Sequence, residues 1–337
     1  MKHTLTALVA ALALNGAGCA TNTYTIAYPP VAVAGHDGKY DSIDDYVDRE
    51  DIDKIKDANY MVISESKYEN PKGEIETLHS LGTAVLHSDV GRRTYLVTAN
   101  HVVQNEPELF DFFGNKYKLL SEKFYLLDDH DVDVLHLALR KAVEAQEHKQ
   151  FYAEDSSGTK RVLSHIVETS DEFASIIKVM KPRKVKTNAH NEEKDLAIIS
   201  VRKLPHQPLV YSLGKVKELQ VQNIVYVVGW PRGILKNVTQ GHITSVNYSK
   251  LLREDAETAL IFDASVSPGN SGGGIFAVRD GKFELVGITS AVFLGANDVN
   301  IGVKIDSVSE VFKGGSISCS KGWECNLSSP YELKLGK

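Results

Sequence analysis

Residues 267–274 read Ser267-Pro268-Gly269-Asn270-Ser271-Gly272-Gly273-Gly274. A serine this densely flanked by glycine sits where the backbone can turn sharply and approach a bound group closely. Such a turn aims the N–H groups of Gly269 and Ser271, with the Asn270 amide nearby, at one point, as an oxyanion hole requires. The same eight residues also read as a glycine-rich hairpin carrying an incidental serine. What decides between the two is whether the chain supplies a base and an acid in a workable order.

Gly269-x-Ser271-x-Gly273 fits the nucleophile elbow of α/β-hydrolases, in which the triad histidine follows the serine. The last histidine in this chain is His242, so that order fails. The order His, Asp, Ser is available. Thr94-Tyr-Leu-Val-Thr-Ala-Asn-His101 reads as a β-strand running into a histidine, and a strand terminus holds a general base firmly. Other histidines, such as His148 and His190, lie in polar contexts that read as solvated surface. Two acids compete for the third position. Asp195 opens Asp-Leu-Ala-Ile-Ile-Ser-Val, and Asp133 opens Asp-Val-Leu-His-Leu-Ala-Leu. Either is able to hold a histidine in its working tautomer; the more uniformly β-branched strand after Asp195 favours that residue modestly.

Around these residues the chain is punctuated into short runs rich in Val, Ile, Thr and Tyr: 60–64, 80–86, 94–98, 196–201, 224–228, 259–262, 274–278 and 284–290. Each is bounded by turn residues, and long 3.6-residue periodicity is scarce, so the fold class is all-β. The exception lies between His101 and Asp195, where residues 134–149 have helical composition and the following stretch to 190 is charged. This predicts a partly helical insertion at about 105–190. Residues 21–58 are acidic and polar and read as a tether with about one helical turn.

The first 20 residues read as an export signal: Lys2 and His3, an apolar run over 5–14, then Gly16, Ala17, Gly18, Cys19 and Ala20. That run is too short to span a bilayer as a helix. The cysteine count is odd: Cys19, Cys319 and Cys325. One account uses all three, with Cys319 and Cys325 paired in a disulfide and Cys19 acylated as the first residue of a lipoprotein. Residues 16–19 resemble a bacterial lipobox, but Gly16 stands where a branched apolar residue is usual, so ordinary cleavage after Ala20 stands beside lipidation. Any membrane contact is then through an anchor at Cys19. The 38 Lys and Arg are scattered among 44 Asp and Glu, giving a net charge of −6 and no basic stripe for phosphates. Nucleic acid is therefore not an expected partner.

Four segments, in order, carry a family resemblance. Thr98-Ala99-Asn100-His101-Val102-Val103, Asp195-Leu196-Ala197-Ile198, Val228-Gly229-Trp230-Pro231-Arg232-Gly233 and Pro268-Gly269-Asn270-Ser271-Gly272-Gly273 resemble the signature of trypsin-like serine proteases. The nearest subgroup is the bacterial HtrA/Deg-type protease domain. Residues 241–246 and 285–290 resemble the strands flanking the serine loop there, and the likeness covers about 60–312. It implies two packed six-stranded β-barrels, 59–205 with the insertion and 206–312, followed by a tail at 313–337. It also prefers Asp195 to Asp133, because the 76-residue step from Asp195 to Ser271 suits the family. The 94-residue step from His101 to Asp195 is longer than the Deg-type pattern, in keeping with the insertion. Only 46 residues follow Ala291, too few for the PDZ module usual in that subgroup.

The resemblance implies a serine endopeptidase of the periplasm or cell envelope, or a secreted one, acting on proteins or peptides without a cofactor. No Cys or His pair has the spacing of a zinc site. Ser271 is the expected nucleophile, His101 the base and Asp195 its orienting acid, with Gly269, Asn270 and Ser271 forming the oxyanion hole. The specificity pocket is expected at Ser265, Val266, Thr289, Ser290 and Ala291, which are small and uncharged and imply cleavage after small or medium apolar residues. Two rivals use the same residues: a protease-like barrel serving as a binding or chaperone module, and an esterase.

Overall fold

Strands rich in Val, Ile and Leu form where both faces find apolar cover. In the computed structural model this governs several strands: Leu196–Arg202 is buried over its first six residues, and Ile224–Gly229 and Ala259–Phe262 throughout. The structure describes residues 38–41, 49–135, 151–154, 160–163, 166–168, 171–205, 209, 211–246, 259–292, 299–308 and 311. The export signal, Cys19, Cys319, Cys325 and the tail beyond 312 lie outside the described residues.

The first sheet comprises β1 (Asn59–Glu69), β2 (Ile75–Val90), β3 (Arg93–Thr98), β4 (Glu108–Asp111), β5 (Lys116–Leu127), β6 (Phe151–Glu154), β7 (Lys160–Val162), β8 (Ile166–Glu168), β9 (Arg183–Lys184), β10 (Lys186–Asn191) and β11 (Leu196–Arg202). Its order runs β10-β11-β3-β2-β1-β5, while β9 pairs with β5. Only Val185 separates β9 from β10, and its amide donates to the Phe124 carbonyl oxygen at 2.9 Å. The continuous stretch 183–191 thus pairs first with β5 and then with β11, closing a ring of six. Strands β4, β6, β7 and β8 are additions to that ring.

The second sheet comprises β12 (Tyr211–Leu213), β13 (Ile224–Gly229), β14 (Asn237–Ser245), β15 (Ala259–Phe262), β16 (Gly274–Arg279), β17 (Lys282–Val292) and β18 (Asn300–Lys304). Its order β17-β16-β13-β14-β15-β18 is closed by pairing of β17 with β18, making a six-stranded barrel, and β12 adds in parallel outside it. One continuous apolar core draws residues from both sheets, among them Val97, Ile199, Val227, Phe262, Ile275 and Ile288.

Several elements differ from the sequence reading in instructive ways. Residues within the expected tether form α1 (Arg49–Asp57), because Ile52 and Ile55 fall three apart on one face and Ile55 is fully buried. The stretch 105–190 contributes strands as well as helix: β5 and the β9–β10 run belong to the first ring. Among the described residues its helical parts are 129–135 and α2 (Asp171–Met180). Residues 136–149, read as helical from composition, lie outside the described residues.

Candidate active site

Three loop connections bring the chemistry together. β3 ends at Thr98, and His101 sits in a 3₁₀ turn (Asn100–Val102) just beyond it rather than on the strand. Asp195 closes the β10–β11 hairpin at φ 49, a left-handed conformation in which Asp is one of the better-tolerated non-glycine residues. The hairpin is set by Asn191, whose side-chain oxygen accepts from the Lys194 amide at 2.8 Å. Because β3 and β11 are paired, with Thr98 opposite Ala197, the two residues emerge at one end of the ring.

There His101 Nδ1 lies 2.9 Å from Asp195 Oδ2 and 3.0 Å from Oδ1, and the His101 amide donates to Oδ1 at 3.0 Å. The Ser290 hydroxyl donates to Oδ2. Burial would raise the Asp195 carboxyl, but the facing His101, through charge and ring hydrogen bond, and the donors from Ser290 and the His101 amide outweigh it and hold it at about 2. An ionised carboxylate only accepts, so the proton lies on Nδ1, leaving Nε2 as the basic nitrogen. Asp133 is exposed on the helical residues 129–135, so the acid brought to His101 is Asp195.

The serine loop begins with a turn: the Asn270 amide donates to the Ser267 carbonyl oxygen at 3.0 Å, with Pro268 at the first central position and Gly269 at φ 99 at the second. Pro followed by a positive-φ glycine is the residue order of a type II turn. The Asn270 amide is committed to this turn. Among the described residues neither the Gly269 nor the Ser271 amide has an acceptor within the chain. The loop is pinned to β2: the Thr83 amide donates to the Ser271 carbonyl oxygen at 2.7 Å, and the Thr83 hydroxyl to that of Gly269 at 2.8 Å. Ser271 Oγ donates to the Ser290 carbonyl oxygen at 3.2 Å. Ser290 therefore touches both halves of the site, its hydroxyl on Asp195 and its carbonyl on Ser271.

Gly272 shows how tightly the loop packs. At φ 87, an added Cβ would lie 1.9 Å from the Thr83 carbonyl oxygen and 2.1 Å from Thr98 Oγ1. Gly272→Ala is expected to destabilise the fold by about 3 kcal/mol or more, from clash and left-handed strain together. Urea unfolding reads this directly, and an unchanged midpoint contradicts the packing described.

Of the expected pocket residues, Thr289 and Ser290 are buried, Val266 and Ala291 half-buried, and Ser265 exposed. Sequence reasoning missed the Ser290–Asp195 bond. A serine within the apolar run of β17 signalled it weakly, since a buried hydroxyl requires a partner. Among the described residues no group of three or more His, Cys, Asp or Glu is arranged to hold a metal ion. No helix among them is long and apolar enough to cross a membrane.

Residues 82–288 match the family described as a trypsin-like peptidase domain. Among curated proteins, one named "Probable periplasmic serine endoprotease DegP-like" from Halomonas elongata is 29% identical over 182 residues, 51% of this chain and 36% of that protein. Its namesake from Hahella chejuensis is 31% identical over 171 residues, 48% and 34% of the two chains. The periplasmic pH-dependent serine endoprotease DegQ of Escherichia coli is 25% identical over 153 residues, 45% and 33%. The chain thus spans about a third of the length of these relatives. Among solved structures, the HtrA-type protease AlgW with decapeptide aligns at a TM-score of 0.46 and 16% identity, covering 78% of this chain and 66% of that one.

Proposed function

The chain belongs to the trypsin-like peptidase family, and from that premise we propose that it is an exported serine endopeptidase acting through a His101–Asp195–Ser271 triad and an acyl-enzyme. The observation that carries this reading is the ionised Asp195 carboxylate on His101 Nδ1, with Ser290 joining that pair to Ser271. With Nδ1 protonated, Nε2 takes the Ser271 proton as Oγ attacks the peptide carbonyl carbon. The imidazolium, stabilised by Asp195, then protonates the leaving amine, and water repeats the sequence to release the acid. The Gly269 and Ser271 amides are the oxyanion donors. The Asn270 amide, expected beside them, already serves the turn.

The substrates are proteins or peptides, and the site of action is the periplasm or cell envelope. Both inferences are supported by the names of the relatives, and the second also by the export-signal composition of residues 1–20. Cys19 acylation and a Cys319–Cys325 disulfide belong to the same proposal; intact mass of protein purified from membranes, with and without reductant, reads both.

The test is a peptide library incubated with wild type and Ser271→Ala, alongside matched ester and amide substrates. Hydrolysis by wild type alone, mainly after small or medium apolar residues, is expected from a pocket lined by Val266, Thr289, Ser290 and Ala291. Cleavage concentrated after Lys or Arg contradicts the pocket assignment. Hydrolysis of esters with no turnover of peptides contradicts the endopeptidase.

A further inference from the structure

The stretch between His101 and Asp195 reaches across to the second barrel. Its helical residues 129–135 and α2 send Val132, Leu135, Phe173 and Ile177 into a buried cluster that also takes Trp230. Trp230 opens the β13–β14 connection, and that connection grips the turn carrying Gly269. The Arg232 amide donates to the Pro268 carbonyl oxygen at 2.6 Å. The Trp230 carbonyl oxygen lies where a Cβ on Gly269 would be only 2.3 Å away. The Trp230 amide donates at 3.1 Å to the same Thr83 hydroxyl that bonds Gly269. A trans peptide points its C=O and N–H in opposite directions, so anchoring the Pro268 carbonyl aims the Gly269 amide.

Arg232 holds this bond at φ 52, a conformation that a non-glycine residue keeps only where its surroundings over-determine it. Trp230 supplies one constraint. Lys236 supplies another: its Nζ pairs with Asp129 Oδ1 at 2.5 Å and lies 5.2 Å above the Trp230 ring. The Lys236 side chain is 5% exposed and that of Asp129 53%. Burial draws the ammonium below the usual lysine range, and Asp129 opposes that pull. Asp129 is itself presented by a fixed helix start. The Asp128 carboxylate accepts the Asp131 amide at 3.0 Å, the Asp131 carboxylate accepts the Asp128 amide at 3.3 Å, and Arg183 Nη1 bonds Asp128 at 3.1 Å.

We propose that the Asp129–Lys236 ion pair, closed over Trp230, is a latch by which the insertion positions the oxyanion turn. Asp129 and Lys236 are positioning residues, and the inference rests on the endopeptidase reading above. An oxyanion donor acts on the transition state and not on the bound ground state, so a loosened latch lowers kcat and spares KM.

The experiment compares wild type, Asp129→Asn, Lys236→Met and the charge-conserving Asp129→Glu on one peptide substrate, with circular dichroism melting to confirm folding. The expected result is a kcat loss of about 10- to 100-fold for the first two, less than removal of an oxyanion donor costs. KM stays within about threefold, and Asp129→Glu recovers much of the rate. If wild type itself turns over no peptide, the endopeptidase reading fails and the latch with it. If wild type is active and both charge-removing variants keep kcat within twofold, the latch alone is overturned. Loss of folding in both, or equal losses in kcat and substrate binding, assigns the pair a purely structural role and likewise overturns it.

Discussion

Ser271→Ala is expected to lower kcat on a peptide substrate by about 10⁶-fold, since removing one member of a concerted set costs nearly as much as removing all. Its folding should scarcely change. The serine loop is held by backbone bonds, from Thr83 to the Ser271 and Gly269 carbonyls and across the Ser267–Asn270 turn, none of which uses Oγ. The hydroxyl donates to the Ser290 carbonyl oxygen at 3.2 Å, longer than the usual range for such a bond. A midpoint shift of under about 1 kcal/mol in urea, with activity gone, is the signature of a nucleophile. Activity retained within tenfold contradicts the assignment of Ser271.

Asp195→Asn is the second large effect, about 10⁴-fold in kcat. Asn tolerates the left-handed backbone at this position as Asp does, so the substitution isolates the charge. The carboxylate accepts from His101 Nδ1, the His101 amide and Ser290 Oγ. A carboxamide has only one acceptor oxygen for them, and its NH₂ facing Nδ1 forces the proton onto Nε2, where it blocks removal of the serine proton.

The same charge gives a stability test with a definite sign. In the folded chain Asp195 is held at about 2 against an ordinary value of 3.8. Its contribution, about 2 kcal/mol, is complete above the unfolded value and is lost as pH falls through 3.8 towards 2. Urea midpoints measured between pH 5 and pH 2.5 should therefore converge for wild type and Asp195→Asn. Parallel curves contradict the depressed carboxyl.

Much of this was readable from the sequence, and the failures have physical causes. The β-branched runs at 60–64, 80–86, 94–98, 196–201, 224–228, 259–262, 274–278 and 284–290 all fall within strands, because buried strands demand that composition. β5 and β10 were hidden. β5 carries Lys116, Lys118, Glu122 and Lys123 on positions open to solvent, and β10 reads Lys-Thr-Asn-Ala-His-Asn, a turn-like composition. Their strand identity comes from ring closure with β1 and β11, a long-range pairing that local propensity does not encode. In the candidate site, chain order and local context pointed to His101, Asp195 and Ser271, and of these the structure joins His101 to Asp195 directly. The roles of Ser290 and Trp230 were not legible, because each depends on what lies across the fold from it. The turn partner of the Asn270 amide was also hidden, although Pro268 and Gly269 make a turn whose closing donor is that amide.

The most direct test of the triad is reaction of the protein truncated to residues 21–337 with a fluorophosphonate, read by intact mass for wild type and Ser271→Ala. One stoichiometric adduct on wild type and none on the variant is the predicted result. An unlabelled but folded wild type, or an adduct that survives in Ser271→Ala, contradicts an activated serine at this site.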